Sequence, residues 1–322
     1  MKRWRAACVF AIGALVVNAA AAAVPYPNRP VRLIVPSGAG GITDIIGRNI
    51  ADRLTTNLGQ QVIVDNRPGA SGIVGSLIVA KAPPDGHTLL MAFPSHPVNP
   101  SLYPDIPFDT ERAFAPITLV SAVAPVLIVS AQFPARSVQD LIAIAKAKPG
   151  QLNHGSVGRG SMGSLAAELL RTTAGIRFQQ VAYKGAPQAL TAVMGGEVDF
   201  YLIGSAGTVV PHVQAGRLRA LGVGVRERIS VLPDVPPIAD AVPGYEARGW
   251  NGILAPAGTP PAIVGRLHRE IVKIVHGPEF ARMLLGEGAT AVGNTPAEFA
   301  AVIRNDVAKW RRIVSEAGIK GD

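Results

Sequence analysis

"VRLIVPSGAGGITDIIGRNIADRL" (residues 31–54) decides the fold. The first five residues are an apolar, largely β-branched run of strand length, stopped by Pro36. From Ile42 the residues Ile45, Ile46, Ile50, Leu54 and Leu58 recur at helical spacing, with Arg48, Asn49, Asp52 and Arg53 on the opposite side. Between them lies Ser37-Gly38-Ala39-Gly40-Gly41, a turn stripped of side chains where a helix leaves its first amides unpaired. Glycine lets a ligand approach the backbone, and a helix N-terminus favours an anion. Thr43 and Asp44 fall in the first helical turn, where a carboxylate can accept local amide bonds. A tight turn with no ligand explains the same residues equally well.

The rhythm continues downstream. "QVIVDN" (61–66) reads as a strand, "ASGIVGSLIVAKA" (70–82) as a helix ended by Pro83-Pro84, and "HTLLMA" (87–92) as a third strand. This βαβαβ pattern predicts an α/β fold with a mostly parallel sheet covered on both faces. "FAPITLVSAVAPVLIVS" (114–130), broken by Pro116 and Pro125, reads as two strands passing from one domain to another. A second αβ unit follows. It starts at the capping-box-like "SVQD" (137–140), includes "LNHGSVGRGSMGSLAAELL" (152–170), and ends at "RALGVGV" (219–225). "GWNGILAPAGTP" (249–260) reads as a return crossing. Two closing helices are predicted, one capped at Thr259-Pro260, the other at the capping box "TPAE" (295–298). The apolar face of the second is Phe299, Val302, Val307, Trp310 and Val314. Two αβ lobes with two crossings leave a cleft, a common place for a small ligand.

Residues 1–23 read as a secretory signal peptide: Lys2, Arg3 and Arg5, then an apolar stretch from Ala6 to Val17, then the alanines Ala19 to Ala23. Its removal leaves 299 of 322 residues and lowers the formal net charge from +9 to +6. The only cysteine, Cys8, lies within it, so the processed chain has no disulfide, thiol nucleophile or thiolate metal site. The basic balance lacks the aromatic-interleaved basic runs of a nucleic-acid binder, and no later stretch is apolar enough to span a membrane.

The second unit repeats the glycine turn as "GSVGRGSMGSLAAELL" (155–170), adding hydroxyls at Ser156, Ser161 and Ser164 and a cation at Arg159. Ser161 or Ser164 is also an ordinary N-cap candidate. Gly158, Gly160 and Gly163 spell G-x-G-x-x-G, but the acid a dinucleotide site needs after the next strand is absent, so no cofactor is expected. There is no G-x-S-x-G elbow and no phosphate-loop motif. His87, His96, His154, His212, His268 and His276 show no metal-ligand spacing. "PSHPVNPSLY" (94–103) places Ser95, His96 and Asn99 after a strand end, where loops of open α/β sheets face the cleft. Tyr183 and the small-residue turn at Gly204-Ser205 occupy similar positions in the second unit.

Taken together the chain resembles the extracytoplasmic substrate-binding proteins of tripartite tricarboxylate transporters, the Bug family. The resemblance rests on "YPNRPVRLIVP", "GGITDIIGR", "LGQQVIVDNRPGASG", "PPDGHTLL", "NPSLY", "FAPITLV", "AKPGQLNHGSVGRGS", "YKGAPQALTAVMGGEVD", "VVPHVQAGRLRAL", "LPDVPPIADAVPGYEARGWNGILAPAGTP" and "EAGIK", spread over the whole processed chain. It implies a two-lobed type II periplasmic binding-protein fold, with residues 24–122 and 246–322 as one lobe and 123–245 as the other. It implies a non-enzymatic, monomeric periplasmic protein that binds a small organic carboxylate and delivers it to transporter membrane subunits.

The site implied by the resemblance comprises Ser37, Gly38, Ala39, Gly40, Gly41, Thr43, Asp44, Ser95, His96 and Asn99 from one lobe. The other lobe contributes Gly158, Arg159, Gly160, Ser161, Tyr183, Gly204 and Ser205. The chain departs from its relatives at Ser37 and Gly38, where an aromatic and a proline are usual. It also lacks the acid that relatives often carry at the Gly204 turn, which favours a plain carboxylate over an amino acid. A sensing partner of a membrane receptor, or an exported enzyme using Ser161 or His96, are the rival readings.

Overall fold

The computed structural model describes residues 26–158 and 160–318; the signal segment with Cys8, and Arg159, lie outside the described residues. The chain first forms β1 (Val31–Val35), α1 (Ile42–Leu58), β2 (Val62–Asn66), α2 (Ile73–Ala80), β3 (Thr88–Ala92), the single turn α3 (Asn99–Leu102) and β4 (Phe114–Val123). After Ala124-Pro125 it forms β5 (Val126–Ser130), α4 (Val138–Ala147), β6 (Asn153–Ser156), α5 (Met162–Ala174), β7 (Gln179–Ala182), α6 (Ala186–Gly195), β8 (Phe200–Ile203), α7 (Val210–Gln214) and β9 (Leu218–Val223). It returns as β10 (Gly249–Pro256), α8 (Pro261–Val275), α9 (Pro278–Gly286), β11 (Ala289–Ala291) and α10 (Pro296–Ala317).

Two sheets result, ordered β11-β4-β10-β3-β1-β2 and β7-β6-β8-β5-β9. Both are mixed, which corrects the expectation of a mostly parallel sheet. The βαβ pairs β1–β2, β1–β3, β6–β7 and β6–β8 are parallel. The strands next to the crossings pair antiparallel: β5 and β10 each enter their sheet from the other unit without a returning helix, and β4, the last strand before the first crossing, pairs antiparallel with β10. The return crossing itself precedes β10: Gly224 N donates to Pro125 O, and Ala247 N to Gly224 O, so the two connections run side by side.

The cores follow from strand alternation. Leu33 and Val35 face α1 and α8, while Ile34 faces α2 and α10, as a strand buried on both faces requires. The expected inward residues Ile46, Ile50, Leu54 and Leu58 are buried; Ile45 is half-buried. In the second sheet Leu127, Val129 and Phe200 pack with α4 and α5, and Val126, Ile128 and Tyr201 pack with α6.

The closing region has three helices rather than two. The Gly277-Pro278 break starts α9, and β11 then adds an edge strand to β4. Thr259 does not cap α8: Pro260 is the N-cap and the Thr259 hydroxyl donates to Pro256 O at 2.7 Å. The capping box of α10 is present in full, Thr295 with Glu298 and proline at the first helical position. Phe299 and Val307 pack on the first sheet, whereas Trp310 and Val314 pack with α5 and β5 of the second unit, so α10 bridges both cores. Among the described residues no helix is long and apolar enough to cross a membrane.

Candidate functional site

Two glycine turns lead into helices α1 and α5, one from each sheet. At α1 the N-cap is Gly41, which offers no side-chain cap, so the first-turn amides stay open to another acceptor. Gly38 and Gly40 have open space where a side chain would stand, Gly40 at φ +81°. Asp44 shapes this turn. One carboxylate oxygen accepts from Gly40 N at 2.9 Å and Arg48 Nε at 3.0 Å; the other accepts from Asn66 Nδ2 at 2.9 Å. Asn66 Nδ2 also reaches the Ser37 carbonyl at 3.2 Å. Burial works to raise the Asp44 pKa, but these hydrogen bonds outweigh it and hold the carboxyl below its ordinary range. Thr43 donates to Asn251 Oδ1 on β10 at 2.9 Å, which anchors the helix start to the first sheet. Asp44 and Thr43 are thus already partnered within the protein, and the open groups are the backbone amides.

At α5 the N-cap is Ser161, whose oxygen accepts from Ser164 N at 3.3 Å. Ser156 and Ser164 hydroxyls lie 2.6 Å apart, closing a small hydroxyl chain behind the turn. The three glycines of the apparent dinucleotide motif have separate duties. Gly158, at φ +115°, turns the chain into open space; Gly160 meets the other lobe; and a Cβ on Gly163 would stand 1.8 Å from the Leu202 carbonyl, so Gly163 lets α5 lie against β8.

The turns are brought together by direct contacts between the two units. Ser95, buried, donates to Gly160 O at 2.5 Å. Within the first unit, Asn99, also buried, donates to Ser71 O at 3.0 Å, and its Oδ1 has no protein partner. Ser71 was not anticipated. It has φ +52°, its hydroxyl pairs with Tyr103 OH at 3.0 Å, and that hydroxyl would lie 2.8 Å from a Cβ on Gly160. The quoted "RPGASG" contains it, but no pattern marks an L-residue for left-handed backbone. Glu287 was likewise missed: it accepts from the Ser205 hydroxyl at its carbonyl, 3.1 Å, and at Oε2, 3.0 Å.

His96 is enclosed. Its ring packs edge-on against Phe114 with centroids 5.2 Å apart, and burial pushes its pKa down to about 4, opposed by a hydrogen bond to the Thr110 backbone. This neutral, enclosed imidazole corrects the cleft-facing placement expected for it. Tyr183 follows β7, its amide bonded to Ser156 O at 2.7 Å, beside the α5 turn. Gly204 lies against Met162, the first residue of α5. Among the described residues no group of three or more His, Cys, Asp or Glu is placed to hold a metal ion. What the arrangement presents is two helix starts behind glycine turns, α1 with no side-chain cap and α5 with the Ser161 hydroxyl, both suited to oxyanions.

Comparison with known proteins gives the family and the fold. The model of the family described as "Tripartite tricarboxylate transporter family receptor" matches residues 46–319. BugT of Bordetella pertussis is 34% identical over 307 residues, covering 94% of each chain. Among solved structures, R. palustris Rpa4515 with adipate superposes with a TM-score of 0.84 at 34% identity, covering 92% of this chain and 99% of that one. MatC from Rhodopseudomonas palustris with bound malate gives 0.81 at 28% identity, covering 90% of this chain and all of that one.

Proposed function

The chain belongs to the receptor family of the tripartite tricarboxylate transporters, and from that premise we propose that it captures a small organic carboxylate between its two lobes. It then hands the solute to the transporter's membrane subunits. Like its family it is a solute-binding receptor of the periplasm and not an enzyme.

The observation that carries the reading is the pair of uncapped or hydroxyl-lined glycine turns at the starts of α1 and α5, one on each lobe. A carboxylate lodged there meets amide dipoles from both sides, and contacts made to both lobes favour the closed state. In this proposal Ser37 to Gly41 and the amides of Thr43 and Asp44 hold one oxyanion from the first lobe. Gly158 to Ser161, with Tyr183 and Gly204, hold it from the second. Asn99 Oδ1, buried and unpartnered, supports a donor or a bridging water on the ligand side. Linear and hydroxylated dicarboxylates are the first candidates, since Rpa4515 and MatC are solved with adipate and malate. The lobes divide near Val123 and Glu246, and the protein acts as a monomer.

The test is calorimetric titration of protein refolded from denaturant, against mono-, di- and tricarboxylates, acidic amino acids and neutral vitamins. A carboxylate that binds only the folded state stabilises it by about 2.7 kcal/mol at a hundredfold excess over Kd. Binding confined to neutral solutes would overturn the proposal.

A further inference from the structure

On the β11 side of the cleft, the turn after β8 and the turn between α9 and β11 meet almost backbone to backbone. The Ser205 hydroxyl donates to the Glu287 carbonyl at 3.1 Å and stands 3.0 Å from its Oε2. The Ala206 amide donates to the same carbonyl at 3.2 Å. The fit is close enough to exclude side chains. A Cβ on Gly207 would stand 2.6 Å from Glu287 Oε2 and 2.9 Å from the Gly286 carbonyl, and one on Gly288, at φ +67°, 2.5 Å from the Ala206 Cβ. Glu287 is the C-cap of α9, so its carbonyl is one of the groups a helix end leaves unpaired, and here the opposite lobe supplies both donors.

We propose that Ser205 and Glu287 form a latch that sets the closing equilibrium, and that Ser205 is a positioning residue rather than a ligand contact. The latch atoms belong to neither glycine turn, so the latch stabilises the closed form equally for any solute held between α1 and α5. Observed affinity then depends on two separable quantities: the contacts to the solute, and the fraction of time the lobes are latched. The inference rests on the two-lobed receptor reading for its ligand arm only.

The test has two arms. In ligand-free processed protein, spin labels on the introduced cysteines of Asp52→Cys on α1 and Gln188→Cys on α6, both exposed positions, report the lobe separation by pulsed electron resonance. Ser205→Ala and Glu287→Ala should shift the distribution toward longer distances. Glu287→Gln, which keeps an acceptor, should stay near the parent. Gly207→Ala wedges the seam without removing a donor and should open it too. In the second arm, adipate and malate are titrated into each variant. Ser205→Ala should weaken every carboxylate that binds by one common factor, about fivefold for one hydrogen bond, through faster dissociation. Unchanged distances in Ser205→Ala, Glu287→Ala and Gly207→Ala would overturn the latch. So would an affinity loss in Ser205→Ala that differs between ligands. If neither acid binds, the choice of ligand fails while the distance arm still decides the latch.

Discussion

Ser95 donates its hydroxyl to the carbonyl of Gly160 at 2.5 Å, joining a loop of the first sheet to the glycine turn of the second. Because Gly160 has no side chain, Ser71 and Ser95 approach it; an added Cβ would stand 2.8 Å from one hydroxyl and 3.4 Å from the other. That clash exists only while the lobes are together. Gly160→Ala should therefore lower carboxylate affinity about tenfold or more, while the unliganded protein melts within ~1 kcal/mol of the parent, since alanine also restricts the unfolded chain. Ser95→Ala removes one hydrogen bond and should cost about fivefold. Titration calorimetry beside thermal melts separates the two effects; a stability loss as large as the binding loss would contradict the assignment.

The glycines of the two turns divide into those that face open space and those that face protein. Gly38 has nothing within 4 Å of its absent Cβ, whereas Gly163 would place one 1.8 Å from the Leu202 carbonyl. Gly38→Ala should leave stability within about 0.5 kcal/mol of the parent and weaken binding. Gly163→Ala should destabilise by at least ~1–3 kcal/mol, because α5 must lift from β8. Urea denaturation of both variants checks the contrast.

The same contrast shows what the sequence disclosed. Element type and order were legible because Leu33, Ile34 and Val35 form an unbroken apolar strand, and Ile46, Ile50 and Leu54 keep a helical period. The two glycine turns before helix starts were legible for the same reason: bare backbone beside a helix start is visible in one dimension. Strand direction was not, since β4, β5 and β10 look like any apolar strand and their antiparallel pairing depends on which lobe each leaves. Helix α9 was hidden because it is short and follows α8 after only His276-Gly277, with just Phe280 and Leu284 buried. The duties of side chains were least legible. His96 and Ser95 are neighbours in one loop, yet one ring is enclosed against Phe114 and the other side chain crosses to Gly160. Ser205 and Glu287 are separated by 82 positions and carry no shared pattern.

Asp44 organises the first turn through Gly40 N, Asn66 and Arg48. Asp44→Ala leaves the Gly40 amide and the Asn66 side chain without this acceptor and should destabilise by about 1–3 kcal/mol. It should also weaken binding by loosening residues 37–41. Asp44→Asn keeps one acceptor oxygen and should fall between. If Asp44→Ala bound an anion more tightly at unchanged stability, the carboxylate would instead be acting as a repulsive neighbour of the ligand.

Acid sensitivity above the carboxylate range should come from two enclosed histidines. His154 sits among Phe178, Phe200 and Tyr201, accepts from Leu202 N at 3.3 Å, and is pushed by burial down to about 3; His96 is pushed down to about 4. In the unfolded chain both titrate near ~6.5. Their neutral forms belong to the fold, so the unfolded state binds more protons at any pH between these values, and stability rises with pH through this window. The contribution is full above about pH 6.5 and is lost as pH falls toward 4 and 3, on the order of 2 kcal/mol per pH unit near pH 5 for the pair. Asp306, whose pKa burial beneath Trp250 raises, opposes this by taking up a proton in the fold as pH falls. Urea unfolding at pH 7, 6 and 5 measures the slope. His154→Gln, which keeps an acceptor for Leu202 N and cannot titrate, should flatten it by about half; an unchanged slope would place the protons on other groups.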